Sequence, residues 1–364
     1  RNMLRLLCFS LLVGLLGSPF AQASELELTK RMDTVYAVQP GLRLELDNRY
    51  GNVVFSVWNK NEVRVEVDIR VRESDNLKAA ETLAGVRSIQ VLYGGFLRLE
   101  TTFDEQSSGI KRVMQNLNPF ERSTVDVDYR ITLPAYTVCE ISNQFGDVYF
   151  EGLQAPATIN LRYGDLRSQS LADGSWVRVE YGNAVIGSAD QLFATVSNSE
   201  FELRQSKSLE LQSDGSKIRI EQVTDLRLAS RKDNIRLNDV RTLRGQGRFT
   251  DLFIAALQQS CDLEWSLGSI DIAALSPGFG ELRFDQRNTT VKVNVANFGF
   301  ALQAYLEGGQ LIVPKEITEL NVKVLDTKNK IRSLTGQMPA GSGAGSGKGK
   351  FVLRGKEGEY VLYR

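Results

Sequence analysis

The sequence predicts an all-β chain wound as a β-solenoid, with a small α+β insertion near its start. Two observations carry that prediction. The first is a recurring unit between about 139 and 336. Segments 141–150, 159–166 and 177–186 each read as an alternating strand, a Gly-Asp or Gly-Asn turn, and a second alternating strand. The second is phase. Aligned on Gly146, Gly164, Gly182, Ser199, Asp214, Arg231, Arg248, Gly268 and Arg287, the passes step by 18, 18, 17, 15, 17, 17, 20 and 19 residues. Apolar pairs such as Leu209/Leu211 and Leu226/Leu228 come before the turn, and Ile218/Ile220 and Ile235/Leu237 after it. Alternation with period two buries one face and wets the other. A repeat this short holds two strands and two turns but no crossover helix. A β-sandwich also supplies alternating strands and stays open as an alternative. Coils of 15–20 residues, stacked like on like at ~4.8 Å, explain why the apolar slots stay in phase.

The elements follow in order. Residues 1–23 read as an export signal: Arg1 and Arg5, an apolar run over 6–16, then the small-x-small pattern Ala21-Gln-Ala23. The run is short for a bilayer span, and no later stretch is apolar enough to make one. The expected mature protein is periplasmic, extracellular or on the cell surface. Residues 24–135 read as a β-rich region with one helix. It comprises a first coil over 42–58, a strand over 62–71, and a helix over 75–86 capped by Asp75. Leu77, Ala80, Leu83 and Val86 form the expected apolar face of that helix. Strands over 89–103 and 125–133 enclose an exposed loop at 104–123. Residues 136–364 read as the solenoid itself. Within them, 340–349 is a Gly/Ser-rich loop or linker, and 351–363 a terminal coil or hairpin. A solenoid end bares strand edges, so the 62–133 insertion and the 351–363 segment are the expected caps.

Composition excludes much chemistry. Lys plus Arg and Asp plus Glu both number 44, which argues against a nucleic-acid partner. No P-loop, Rossmann or zinc-finger spacing occurs. The chain has no histidine, which removes Ser-His-Asp and Cys-His catalysis and His-ligated metals. Beyond Cys8 in the leader, only Cys139 and Cys261 remain, seven residues before Gly146 and Gly268 respectively. They occupy equivalent slots seven steps apart, or about 34 Å at the strand spacing. A disulfide needs Cα atoms within about 7 Å, so both thiols are expected free.

Three groups of residues are candidates for function. Asp147, Asp165 and Asn183 share one post-turn position. Asp and Asn favour turns, yet stacked carboxylates also suit Ca²⁺, the single cofactor in view. Lys217, Arg219, Arg227, Arg231, Lys232, Arg236, Arg241, Arg244 and Arg248 are dense over a short span. Of these, Lys217, Arg219, Arg227, Arg236 and Arg244 form the candidate binding surface, one face for an anionic glycan. Glu221, Asp225, Asp233 and Asp239 are interleaved and offer cross-strand pairing instead. Finally, Phe145, Tyr163 and Tyr181 form an aromatic series, either a packing ladder or a sugar platform.

Asn48-Arg-Tyr-Gly-Asn-Val53, Trp58-Asn-Lys-Asn-Glu-Val63-Arg-Val-Glu-Val67, Lys78-Ala-Ala-Glu-Thr-Leu83 and Asp128-Tyr-Arg-Ile-Thr-Leu-Pro134, followed by the Gly-Asp coils, resemble the bacterial "putative adhesin" families. These include the head-domain adhesin-like proteins of unknown function. The resemblance covers about residues 28–335; the stretch at 340–349 is not part of the pattern. It implies a secreted β-helical protein assigned to adhesion largely by shape, with no catalytic or ligand motif. The leading functional expectation is therefore a non-enzymatic protein presenting a solenoid face to a cell-surface, extracellular or envelope partner, glycan or protein. The alternatives are an enzyme acting on polysaccharide in a groove of the solenoid, and an envelope scaffold.

Overall fold

The computed structural model describes residues 26–115, 124–296, 298–339 and 348–364. The expected leader, residues 116–123 and the Gly/Ser stretch at 340–347 lie outside the described residues. The described chain is all-β apart from two short helices, Asn76–Ala84 and Ser108–Gln115.

Four consecutive strands show how the sequence builds the stack: Asn183–Ser197, Glu200–Asp214, Lys217–Arg231 and Asn234–Arg248. Each has 15 residues and is followed by a two-residue turn. Neighbours pair in parallel and in register, so Phe201, Ile218, Ile235 and Leu252 lie side by side. Leu192, Leu209, Leu226 and Leu243 do the same in the trailing half of the strand. The ladder skips residues 221 and 224, which lie between the two halves. Both halves aim alternate residues at a single apolar core, in which Ile218 and Ile235 are 2% and 1% exposed. Burying one such side chain contributes roughly 1.5–3 kcal/mol, so a one-residue slip that turned a whole row outward would be prohibitive.

The cysteines sit where the register puts them. The trailing row steps from Cys139 through Ala157, Ser175, Leu192, Leu209, Leu226 and Leu243 to Cys261, which is seven steps. Both thiols are buried and free. Burial pushes their pKa far up, so they remain protonated and act as small apolar side chains.

The turn alignment expected from sequence holds through Ser199 and again at Gly268, and fails at the four other later positions. The residues level with Gly182 and Ser199 are Ser216, Asp233, Thr250, Gly268 and Thr289, not Asp214, Arg231, Arg248 or Arg287. The apparent 15-residue step vanishes: 182, 199, 216, 233 and 250 are 17 apart. Beyond Gly182, except at Gly268, the turn is marked by inward Ser, Asp and Thr, which look like ordinary polar residues in the sequence. Nor is glycine the left-handed residue. That role falls to the residue before it: Tyr50, Phe145, Tyr163 and Tyr181 have φ of 59°, 61°, 56° and 56°. Glycine is needed for closeness. A Cβ on Gly164 would lie 2.0 Å from the carbonyl oxygen of Gly146, and one on Gly182 1.9 Å from that of Gly164.

At the first end, Arg43–Arg49 and Val53–Trp58 pair in parallel with Val138–Gln144 and Val148–Phe150. Phe96–Phe103 and Val125–Pro134 extend the same sheet, and Glu62–Glu73, Leu26–Ala37 and Val86–Tyr93 close it antiparallel. Asp75 caps the first helix by accepting from the backbone N–H groups of Leu77 and Lys78. The helix buries Ala79 and Thr82 rather than the expected Leu77, which is 83% exposed. The expected loop at 104–123 holds the second helix, whose Ile110 and Val113 join the core.

The other end corrects a second expectation. Lys348–Tyr363 is not a terminal cap. It runs in parallel between Glu281–Asn294 on one side and Gly299–Glu307 with Gln310–Ile312 on the other. Beyond these, Ile331–Met338 pairs antiparallel with Gly299–Glu307, and Thr318–Asp326 forms the outer edge.

Candidate functional site

Alternation fixes what the stack shows to solvent. In the trailing halves three outward files run across the strands. One reads Trp176, Phe193, Glu210, Arg227, Arg244, Asp262. The middle file reads Thr195, Gln212, Ala229, Gln246, Glu264, Asp285. The third reads Ser197, Asp214, Arg231, Arg248, Ser266, Arg287. The middle file is short at Thr195 and Ala229, and a groove lies over it. Its larger part holds about 750 Å³ and reaches from Thr195 to Lys356, across seven neighbouring strands. Six strand steps make that roughly 29 Å. A second part, about 490 Å³, shares Gln212, Ala229, Gln246 and Glu264 and extends over Arg227 and Arg244. Beyond the groove's lining the first file continues to an exposed aromatic pair, Trp176 stacked on Phe193 at 4.3 Å, with Trp176 54% exposed.

A buried hydrogen-bond network lies beneath the floor. The Asp233 carboxylate, 4% exposed, accepts from Ser213 Oγ at 2.6 Å, Ser230 Oγ at 2.5 Å, the Ser216 N–H at 2.7 Å and the Arg231 N–H at 3.1 Å. A buried carboxylate this well satisfied is tolerated, and it ties two strands of the floor to the turn. Next to it, Trp265 lies against Gly247, where a Cβ would fall 2.3 Å from the indole. Its Nε1 donates to the carbonyl of Thr250 at 2.9 Å.

The expected basic surface is split. Arg227 and Arg244 are neighbours in the groove wall. Lys217, Arg219 and Arg236 stand on the leading halves, whose outward rows lie on another side of the core. There Lys217 pairs with Glu200 at 2.8 Å, Arg219 pairs with Glu202, and Arg236 lies over Phe253. Sequence reasoning placed Arg231 and Arg248 at turns and passed over Trp176, Phe193, Gln212 and Gln246. The 17-residue spacing of Trp176 to Phe193, and of Gln212 to Ala229 to Gln246, was the available signal.

Asp147, Asp165 and Asn183 do stack on successive passes, as the turn alignment required. The Asp165 N–H donates to Asp147 Oδ1 at 2.8 Å and the Asn183 N–H to Asp165 Oδ1 at 3.1 Å. Tyr149 takes the other Asp147 oxygen at 2.9 Å. These side chains satisfy turn amides, which accounts for their stacking. Among the described residues, no group of three or more His, Cys, Asp or Glu side chains is gathered as a metal site would need. The aromatic series extends to Tyr50 and stacks face to face, with centroids 5.3, 5.0 and 5.0 Å apart.

No family model matches the chain, and no curated protein matches it. Solved structures are similar to it. One, described as a "putative cell adhesion protein" from Clostridium sporogenes, is 10% identical, with 92% of this chain and 99% of that one covered and a TM-score of 0.19. A "putative adhesin" from Parabacteroides merdae is 8% identical over 72% and 95% of the two chains, with a TM-score of 0.26. Another from Bacteroides fragilis is 13% identical over 92% and 97%, with a TM-score of 0.25. At these values the likeness transfers no activity.

Proposed function

We propose that the passes wind into a β-solenoid and that the chain is an extracellular, adhesin-like binding protein rather than a catalyst. In this reading residues 24–135 begin and cap the stack, residues 136–364 continue it, and the leader at 1–23 directs export. The observation that carries the reading is the groove: long, open, and lined by polar side chains spread over seven strands. Such a surface suits an elongated partner held by many modest contacts, unlike the enclosed pocket of a small-molecule site. The test is binding of the whole chain to arrays of surface glycans and envelope proteins, beside the Ala229→Trp variant. That change fills the groove without touching the core. Its expected result is loss of whatever the parent binds; equal binding by both proteins would place the interaction elsewhere.

A second reading has one specific observation in its favour. Glu264 and Asp285 are neighbours in register within the groove. A pair of carboxylates is the equipment of a glycosidase. A Glu264→Gln variant that still binds an oligosaccharide but no longer cleaves it would establish that role.

A further inference from the structure

The middle of the groove carries a charge arrangement that its stability does not explain. Residues 217–248 hold nine basic and four acidic side chains, a surplus of five, on a chain whose total is zero. Four of the nine basic residues stand in the groove as two neighbouring pairs. Arg227 stands directly beside Arg244, and Arg231 directly beside Arg248. Like charges in register on neighbouring strands repel. Of the four, only Arg231 has a salt bridge, to Asp214; among the described residues Arg227, Arg244 and Arg248 have none. The four guanidinium groups stand on the two outer files, with Ala229 and Gln246 on the floor between them.

The surroundings narrow what can sit there. One strand before the arginines the files show Glu210 and Asp214; one strand after, Asp262 and Glu264. These acids lie three strand spacings apart, about 14 Å. A polymer charged on every unit would press its neighbouring anions against them. A single carboxylate or sulfate flanked by neutral units would not. Gln212 and Gln246 offer amides, each both donor and acceptor, which suit hydroxyl groups. Further along the same file, Phe193 and the exposed Trp176 offer an apolar face on which a sugar ring can stack.

We infer that the groove binds a linear glycan in which acidic units are separated by neutral ones, with one anionic group held by the neighbouring Arg227 and Arg244. This rests on the binding reading above. Guanidinium forks hold carboxylate or sulfate bidentately, and the ligand relieves repulsion that the free protein bears.

The experiment titrates the whole chain with three probes of equal length: a hyaluronan oligosaccharide, whose acidic units alternate with neutral ones; an oligogalacturonate, charged on every unit; and a neutral chito-oligosaccharide. The hyaluronan probe should bind at least about tenfold more tightly than either of the others, and less tightly as salt rises. Arg244→Gln should weaken it about tenfold or more. Trp176→Ala should weaken it severalfold without changing its salt dependence. Arg236→Gln, on the other side of the core, should leave it unchanged. Melting of Arg244→Gln at low salt, no lower than the parent's, shows that the fold is intact. Equal loss from Arg236→Gln, or an equally tight single-stranded DNA competitor, would reduce the site to general charge attraction and overturn the inference. So would a preference for oligogalacturonate. A neutral glycan or surface protein that binds and is indifferent to Arg244→Gln would overturn the anion site while leaving the binding reading in place.

Discussion

The passes around Gly146, Gly164 and Gly182 and those around Ser199, Ser216, Asp233 and Thr250 make the same turn by different means. In both, the residue before the turn position is left-handed: Phe145, Tyr163 and Tyr181 in the first, Asn198 and Lys232 in the second. The backbones stack in parallel in both. What differs is how the turn amides are satisfied. In the glycine turns no side chain fits between passes, so help comes from either side. Outside, the Asp147, Asp165 and Asn52 side chains accept the next amide along. Inside, Asn143 Nδ2 donates to the carbonyls of Gly146 and Gly51. In the later turns the turn residue does this itself. Ser216 Oγ accepts from Ser199 N–H, Asp233 Oδ1 from Ser216 N–H, and Thr250 Oγ1 from Asp233 N–H. The comparison shows that the obligatory feature is a partner for each buried amide, not a particular residue.

Six substitutions press on that difference, each followed by urea unfolding. Asp233→Ala strips the acceptor from four donors in the self-supporting turns and should cost on the order of 3–4 kcal/mol. In the glycine turns the vulnerable quantity is space: Gly164→Ala should cost about 2–3 kcal/mol through its contact with the Gly146 carbonyl. Ser216→Gly, which removes the side chain where glycine is tolerated, should cost only about 1 kcal/mol. Asp165→Ala should cost about 1 kcal/mol, and the loss should be the same in calcium and in chelator, because its oxygen serves an amide. A calcium-dependent difference in the parent that this variant abolishes would return the acidic ladder to the metal-site reading. The smallest effect separates the left-handed residues. Lys232→Gly should stabilise by about 0.5 kcal/mol, since glycine accepts φ near 57° without strain. Tyr163→Gly should show no gain, because it also loses stacking on Phe145 and Tyr181.

The same contrast explains what could be read in the sequence. The apolar rows were legible because burial leaves few choices: Ile218 over Ile235, or Leu209 beside Leu226, can be nothing else. Cys139 and Cys261 followed from their common distance to the turns at Gly146 and Gly268. The glycine turns announced themselves, but Ser199 to Thr250 did not, since an inward serine and an outward serine are the same letter. Leu77 misled because helical spacing does not say which face meets the sheet. The groove was hidden for a different reason. It depends on small and amide side chains falling level across several strands, and a register error of two residues at the turns was enough to scatter them. Arg227 and Arg244 were picked out by charge density, and Arg219 and Arg236 with them, because density is blind to which half of the strand a residue occupies.

The placement of Lys348–Tyr363 bears on the order in which the molecule can be made. Most passes can dock on the one before as soon as they leave the site of synthesis. Gly299–Glu307 and Gln310–Ile312 cannot, because the residues they pair with are about fifty positions further along the chain. Until that strand arrives and slips into the gap beside Glu281–Asn294, this end has an open edge and an unseated flap. Closure here is a late, non-local event that carries a loop-entropy cost the earlier passes avoid. The stack should therefore fold as a fast, sequential zipper followed by a slower insertion. Until the insertion is complete, the open edge at Glu281–Asn294 is where another chain could pair wrongly.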